Sequence, residues 1–537
     1  MNEKLGDLPN SIEDLQGLIR DLTARLEVEH AEKIEYQHEA LRHFEEIQLL
    51  RRRIFGRRTE KLSEEDRLQL LLFNEAEQIL LDHASQPPEK EESVEVHAYS
   101  RRKPGRKALP PDIPRVETIH DLSEEEKRCA CGERMVRIRE KSCEKLEIIP
   151  ARIRVRRHVR PIYACHACEG SGDESRAAVR VAPAPVQLLP RSIASPALVA
   201  YIIVGKFCDS LPFYRQEKQF ARIGVQISRQ DMANWSVAVF ERLRPLREQM
   251  REQIRQGPVV QIDETTVQVM GEPGRLNTTK SFMWVFLGGS PGEPVVDYQY
   301  HPSRSGKIPS EVLRGYKGFI QTDGYDGYEE LGSQEGIIHV GCWAHVRRKF
   351  FEAKQIAKAK GSADAALASI DALFRVERTL RDLDITSLQF QERRRQQAEP
   401  VLEKFLSWLQ ERKDQVPPSL TLGKAIGYTL GQWPKLIRYL DSPLLGPDNN
   451  ACERAIRPFV IGRKNWMLAG SPAGAEASAT WYSLIETAKL NGIEPYLYLY
   501  FVLSRLPDSN NAADYRFLLP WNIPKESLLD FESGRLA

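Results

Sequence analysis

The chain has 537 residues, 41% hydrophobic and 28% charged, a composition that excludes disordered, collagenous and membrane-embedded classes. No apolar run approaches ~18 residues and the start MNEKLGDLPNSIEDLQ is acidic and amphipathic, so neither a transmembrane helix nor a signal peptide is expected; a cytoplasmic protein of roughly three to four domains is. The net charge of +2, from 77 Lys+Arg against 75 Asp+Glu, hides basic clusters in the N-terminal third that suit a polyanionic partner.

Residues 1–50 read as a coiled-coil helix. Ile12, Leu15, Ile19, Leu22 and Leu26 follow an a/d pattern, Glu29 and Lys33 interrupt it, and Ile34, Leu41 and Phe44 resume it one register later. A long helix packed on its own chain has the same periodicity. Segment 51–114 opens on Arg51, Arg52, Arg53, Arg57 and Arg58, continues as a helix over 63–82 capped by Ser63, and ends in a linker rich in Pro and charge. The linker carries Arg101, Arg102, Lys103, Arg106 and Lys107 around a Pro-Gly kink. Such a segment fits an A·T-rich minor groove or is simply solvated.

Residues 115–180 hold Cys129-Ala-Cys131-Gly and Cys165-His-Ala-Cys168, two close pairs flanking a β-like stretch. This is the spacing of a zinc ribbon, in which four thiolates surround a structural Zn²⁺. The first pair is C-x-C instead of C-x-x-C, which leaves Cys143 or His166 as replacement ligands. Alternation in RIRVRRHVR puts Arg152, Arg154 and Arg156 on one strand face, suited to phosphates. Residues 181–254 read as helices, with Gly224 at a turn and Ser228 as N-cap of the next helix. The pattern is that of a helix-turn-helix presenting Arg229, Gln230 and Asn234, or of an ordinary α-hairpin.

Residues 255–350 give strands at PVVQIDETTVQVM, KSFMWVFLGG and PVVDYQYHPS, a helix at KIPSEVLRGY, strands at KGFIQTD and EGIIHVGC, and a helix at AHVRRKFFEAKQIAKA. The order is that of a ribonuclease-H-like core, an α/β fold on a mixed five-stranded sheet whose first and fourth strands are neighbours. Residues 351–440 form a helical insertion with stripes at Leu367, Ile370, Phe374 and Leu380 and at Val401, Phe405, Trp408 and Leu409. The core resumes over 441–492, where Asn449, Glu453 and Arg457 share a helix face and Arg463, Lys464 and Trp466 offer a basic and aromatic grip for DNA. Residues 493–537 read as a C-terminal cap.

Asp263 closes VVQID, Asp323 closes FIQTD, and Glu453 lies on a helix. Carboxylates from two strand ends and one helix converge on one point, and hard oxygen ligands there hold a pair of Mg²⁺ ions ~4 Å apart, with Mn²⁺ able to substitute. The expected chemistry is that of a metal-dependent nuclease or DNA strand transferase. Glu264 points to the opposite strand face, Asp297 lies inside the third strand and Asp326 follows a turn; each stays open as a substitute.

With LRRRIFGRRTEKL, KPGRKALPPDIPR, VGKFCDSLPFYRQ, DETTVQV, TDGYDGY, GCWAHVRRKF, DNNACERAIRPFVIGRKNW, NGIEPYLYL and LLPWN in order, the chain resembles the transposases of the insertion sequence 66 family nearly end to end. The resemblance implies a DDE-type transposase in which Asp263, Asp323 and Glu453 form the triad, a leucine-zipper-like N-terminus, homo-oligomers, and small accessory proteins encoded beside it. The group Cys342-Trp-Ala-His345 looks like the motif after the second Asp in several such enzymes, supporting the active site or packing at a strand–helix junction. Two rival readings remain: a catalytically inactive DNA-binding regulator derived from a transposase, and an RNA/DNA-hybrid nuclease.

Overall fold

The computed structural model describes residues 12–55, 153–164, 179–356, 361–524 and 526–528. Cys129, Cys131, Cys143, Cys165, His166, Cys168, Arg57, Arg58, Arg101, Arg102, Lys103, Arg106, Lys107, Arg152 and the expected helix 63–82 with its linker lie outside the described residues. The chain divides into two units, one formed by 1–84 with 186–537 and the other by 85–185.

α1 (Ile12–Phe55) belongs to the larger unit and is one unbroken helix. The heptad shift at Glu29 and Lys33 changes its apolar face without stopping it, because both residues are good helix formers. Leu22, Leu26, Ile34 and Leu41 are exposed along it, and Arg51, Arg52 and Arg53 lie in its last turns.

The smaller unit contributes β1 (Ile162–Ala164) and β2 (Val179–Val181), an antiparallel pair with Ile162 opposite Val181. The expected β alternation at Arg154 and Arg156 is corrected: residues 153–161 belong to no strand, and both guanidinium groups are exposed. Among the described residues the three-residue β2 pairs with Ile162–Ala164, and beyond that ladder the Ala182 N–H donates to the Pro161 carbonyl.

The larger unit continues with α2 (Pro196–Phe207), α3 (Phe213–Arg222), α4 (Arg229–Arg242) and α5 (Arg244–Gln256). Gly224 takes φ +83° after α3, and Ser228 accepts the Asp231 N–H to cap α4. Three strands follow, β3 (Val259–Gln268), β4 (Lys280–Ser290) and β5 (Glu293–His301). Then come α6 (Lys307–Val312), β6 (Gly318–Gln321), a 3₁₀ turn at Asp326–Tyr328, α7 (Glu329–Gly332), β7 (Ile337–Val340) and α8 (Trp343–Ile356). The sheet order is β5-β4-β3-β6-β7; β3 runs antiparallel to β4 and parallel to β6, and β6 is parallel to β7.

Next come α9 (Ser362–Arg381), α10 (Ser387–Lys413) and α11 (Thr421–Leu436), and last α12 (Asn450–Trp466), α13 (Pro472–Leu490), α14 (Pro495–Arg505) and α15 (Ala512–Phe517). β4 reads as the continuous apolar run Phe282–Leu287 because α5 and α12 both pack on it. The outer edge of β5 is covered by α13: Val296 N–H donates to Thr487 Oγ1 at 3.0 Å and Tyr298 N–H to Ser483 Oγ at 2.8 Å. One hydrophobic core runs from Leu188 through α2, α4, α5 and the sheet to the C-terminal helices. A second core sits among β7, α8 and α9–α11, where Ile370, Leu402, Phe405 and Leu409 are buried. Two links hold this insertion in place. Glu45 of α1 accepts both the N–H and the hydroxyl of Thr421 at 3.0 Å, capping α11 from outside. Arg394, fully buried in α10, donates to the carbonyls of Tyr439, Ser442 and Leu445 and so fixes the segment that enters α12.

Candidate active site

The parallel register pairs Gln261 with Gln321. Two residues farther on, Asp263 and Asp323 come level beside each other, on the strand face that carries the two glutamines. Asp263 is not at a strand end, as its sequence suggested, but in the middle of β3, because pairing with β4 continues from Asp263↔Val285 out to Gln268. Asp323 lies two residues past the end of β6, where its carboxylate accepts the Tyr325 N–H at 3.0 Å. Gly324 follows directly, and a Cβ there would collide with the Tyr428 hydroxyl of α11.

Glu453 is buried in the first turn of α12; this turn is hydrogen-bonded to β3, and β6 holds the segment just before it. Gln261 Nε2 donates to Gln321 Oε1 at 2.8 Å, while Gln261 Oε1 accepts the Cys452 N–H at 3.1 Å. Gln321 in turn donates to the Gly446 carbonyl at 2.9 Å. Asn449 does not cap α12 with its side chain but donates to the Ile262 carbonyl at 3.0 Å. Sequence reasoning passed over both glutamines. The signal was present, since VVQID and FIQTD each place a glutamine two residues before the aspartate.

Burial raises the Asp263 carboxyl well above its ordinary range, and Glu264, Glu453 and Asp323 push it further in the same direction. Burial also raises Asp323, although the Tyr325 N–H, Arg304, Arg348 and Lys349 pull it back. The neighbouring acids are placed differently. Glu264 is buried with Arg304 and the Tyr328 hydroxyl on its carboxylate. Asp297 is fully buried between Arg247 at 2.7 Å and Arg251 at 3.0 Å. Asp326 is exposed in the 3₁₀ turn.

Cys342 is buried just before α8, and its Sγ accepts the Asn449 N–H at 3.3 Å. His345 follows in the first turn of α8, with Nδ1 3.7 Å from Glu453 Oε1. Burial, then Arg348 and Lys349, lower the His345 imidazole to about 3, so it is neutral at pH 7. Arg348 is one turn farther along, with Nε and Nη2 buried and lacking hydrogen-bond partners among the described residues. Clustered carboxylates beside cations are equipped to hold divalent metal next to phosphate.

A family model described as "Transposase IS66 family" matches residues 191–477, from α2 through the first turn of α13. The chain belongs to the IS66 transposase family. Its other IS66 matches are "IS66 C-terminal element" over 483–521, "Transposase C of IS166 homeodomain" over 44–118 and "zinc-finger binding domain of transposase IS66" over 126–169. The last covers Cys129, Cys131, Cys165 and Cys168 and supports a structural Zn²⁺. Two proteins of Sinorhizobium fredii, both described as uncharacterized, are similar: y4jD at 32% identity over 96% of this chain and 97% of its own length, and y4qI at 32% over 77% of each.

The remaining expected DNA contacts of this transposase fall in different settings. Arg229, Gln230 and Asn234 are exposed at the start of α4, with Gln230 donating to Asn234 at 2.9 Å. Arg457 sits half-buried on α12, and Lys464 is exposed near its end. Arg463 is turned inward and donates to the hydroxyls of Thr265 and Thr266 on β3. Among the described residues no helix is long and apolar enough to cross a membrane.

Proposed function

We propose that this chain is a DDE-type DNA transposase with a ribonuclease-H-like core, and that Asp263, Asp323 and Glu453 hold a pair of Mg²⁺ ions, with Mn²⁺ a workable substitute. The observation that carries the reading is the convergence of three elements: β3, β6 and the first turn of α12, tied together by the Gln261–Gln321 bridge. The donor set fits the ions, because three hard oxygen ligands repel one another and Asp263 is raised by burial and then by its acidic neighbours, a strain that bound dications relieve. When bound, the ions activate water or a 3′-OH for in-line attack on a phosphodiester and stabilise the leaving oxygen.

The protein's own residues orient the DNA. Arg304, Arg348 and Lys349 supply positive charge around Asp323, suited to the phosphates that flank the scissile bond. Water attack at the element end frees a 3′-OH, and that hydroxyl then attacks target DNA. Terminal repeats would be held by the arginine clusters, including Arg154 and Arg156, and by the exposed start of α4. The ribbon cysteines Cys129, Cys131, Cys165 and Cys168 would hold the Zn²⁺. Work at two DNA ends needs at least two subunits, and the exposed apolar stripe of α1 is suited to joining them. Accessory proteins encoded with the element and a cytoplasmic, nucleoid-associated setting belong to the same reading.

The test is transposition of a complete element in cells, wild type against Glu453→Gln. The variant keeps size and helix but removes one ligating charge. It should lose at least about a hundredfold in transposition while still binding the ends, the scale seen when a group stabilising developing charge is removed. Equal transposition by both proteins rules out Glu453 as a ligand. Wild-type end binding with no transposition by either protein points to the inactive regulator.

A further inference from the structure

Beside the carboxylate centre lies a second donor set of different chemistry. Cys342 Sγ, a ring nitrogen of His345 and a carboxylate oxygen of Glu453 all lie within 4.8 Å of one another. The His345 Nδ1 to Glu453 Oε1 distance of 3.7 Å is too long for a hydrogen bond, and Nδ1 is buried with no hydrogen-bond partner among the described residues. An imidazole nitrogen and a carboxylate oxygen on one tetrahedral ion, with bonds of ~2.0–2.2 Å, stand about 3.3–3.5 Å apart, a little less than the separation here.

The sulfur, by contrast, is held by the backbone. Cys342 immediately precedes α8, and its Sγ receives backbone N–H groups from Asn449 and His345. Burial, then Glu453 and Asp448, raise the thiol of the metal-free site; the two donors orient the sulfur, as partners of metal-bound ligands do, and a coordinated dication would supply the deprotonation. Asn449 itself is buried, and its Oδ1 has no partner among the described residues.

We propose that Cys342, His345 and Glu453 form a binding site for a transition-metal dication of the Zn²⁺ class, with three protein ligands and one open position. A thiolate, an imidazole and a carboxylate favour Zn²⁺ or Co²⁺ over Mg²⁺, which takes oxygen ligands. Thiolate and carboxylate together balance the charge of the ion. The site shares Glu453 with the triad reading but stands without it, and it is separate from the ribbon cysteines.

The probe is Co²⁺ added to the metal-free full chain, because thiolate–cobalt bonds absorb light and can be counted. Wild type should take up one more equivalent than Cys342→Ser, with the matching share of sulfur-to-cobalt absorption lost in the variant. The ribbon contributes equally to both proteins and cancels. His345→Gln, which leaves every thiol in place, should bind that last equivalent about tenfold more weakly or worse, since even outer partners of metal ligands cost ~10–100-fold. Equal uptake and equal absorption in wild type and Cys342→Ser overturn the proposal. If the serine variant does not fold, an unchanged titration in His345→Gln overturns it instead. Neither readout involves transposition, so failure here leaves the triad assay to decide separately.

Discussion

Asp263 and its chain neighbour Glu264 are both buried and both raised, but they differ in their partners. Burial, Glu264, Glu453 and Asp323 all raise Asp263, whereas Glu264, raised by burial and then by Asp323, has Arg304 and the Tyr328 hydroxyl on its carboxylate to pull it back. A carboxylate held against its own repulsion is a cost to stability that function requires. Asp263→Asn should therefore stabilise the metal-free protein by about 0.5–2 kcal/mol, the usual gain when such a residue is relaxed. It should also abolish transposition. Thermal melts with and without Mg²⁺ check this: added Mg²⁺ should raise the wild-type midpoint more than the variant's. A variant less stable than wild type in the absence of metal would mean that Asp263 is satisfied by something other than a bound cation. The same contrast sets Asp297 apart, since two guanidinium groups already neutralise it and leave it nothing to offer a metal.

At the level of elements, α12 is delivered to the sheet by side chains that do not belong to it. The Cys452 N–H is one of the first-turn groups without an intrahelical partner, and Gln261 of β3 accepts it. Gln261→Leu strands that N–H and the side-chain oxygen of Gln321, whose Nε2 keeps the Gly446 carbonyl. Loss of about 1–3 kcal/mol follows from the unpaired groups, and transposition should fall roughly a hundredfold because Glu453 shifts relative to the aspartates. Chemical denaturation and a transposition count separate the two effects; full transposition with lowered stability would limit Gln261 to a packing role. The sequence made the strands legible because β-branched runs such as VVQI and VVDY mark buried strands, although neither run ends where its strand does. The order of elements also made the β3–β6 adjacency legible. It did not reveal the glutamine bridge, because an amide pair across a parallel ladder depends on register, which no local pattern encodes. Nor did it reveal that Arg463 lies on Thr265 and Thr266, since a basic residue on a helix reads alike whether it faces solvent or the sheet. The RIRVRRHVR stretch misled for a related reason. Alternation alone does not make a strand, and residues 153–161 lie in none.

In the molecule as a whole, the helices before the sheet, the sheet and the C-terminal helices share one core, and a buried ion pair lies within it. Asp297 of β5 is fully buried, and Arg247 of α5 joins it both to the Tyr298 carbonyl and to Thr480 of α13. Removing one member of such a pair leaves the other charge stranded. Arg247→Met should thus destabilise the larger unit by about 3–5 kcal/mol, leaving the half-buried Arg251 with the neutral Gln299 and Ser483 on the carboxylate. The effect carries a pH signature. Burial raises Asp297, but Arg247 and Arg251 outweigh it, so the carboxyl is held below its ordinary range. An acid with a depressed folded-state pKa stabilises the fold above its unfolded value of about 3.9, and that contribution disappears as pH falls through the lower folded value. Without Arg247 the carboxyl of Asp297 protonates more readily, which removes the stranded charge. The stability gap between wild type and Arg247→Met should then be largest near pH 7 and shrink below about pH 4. Urea unfolding of both proteins across that range measures it. A gap that stays constant would mean that Arg247 contributes through packing rather than through its charge.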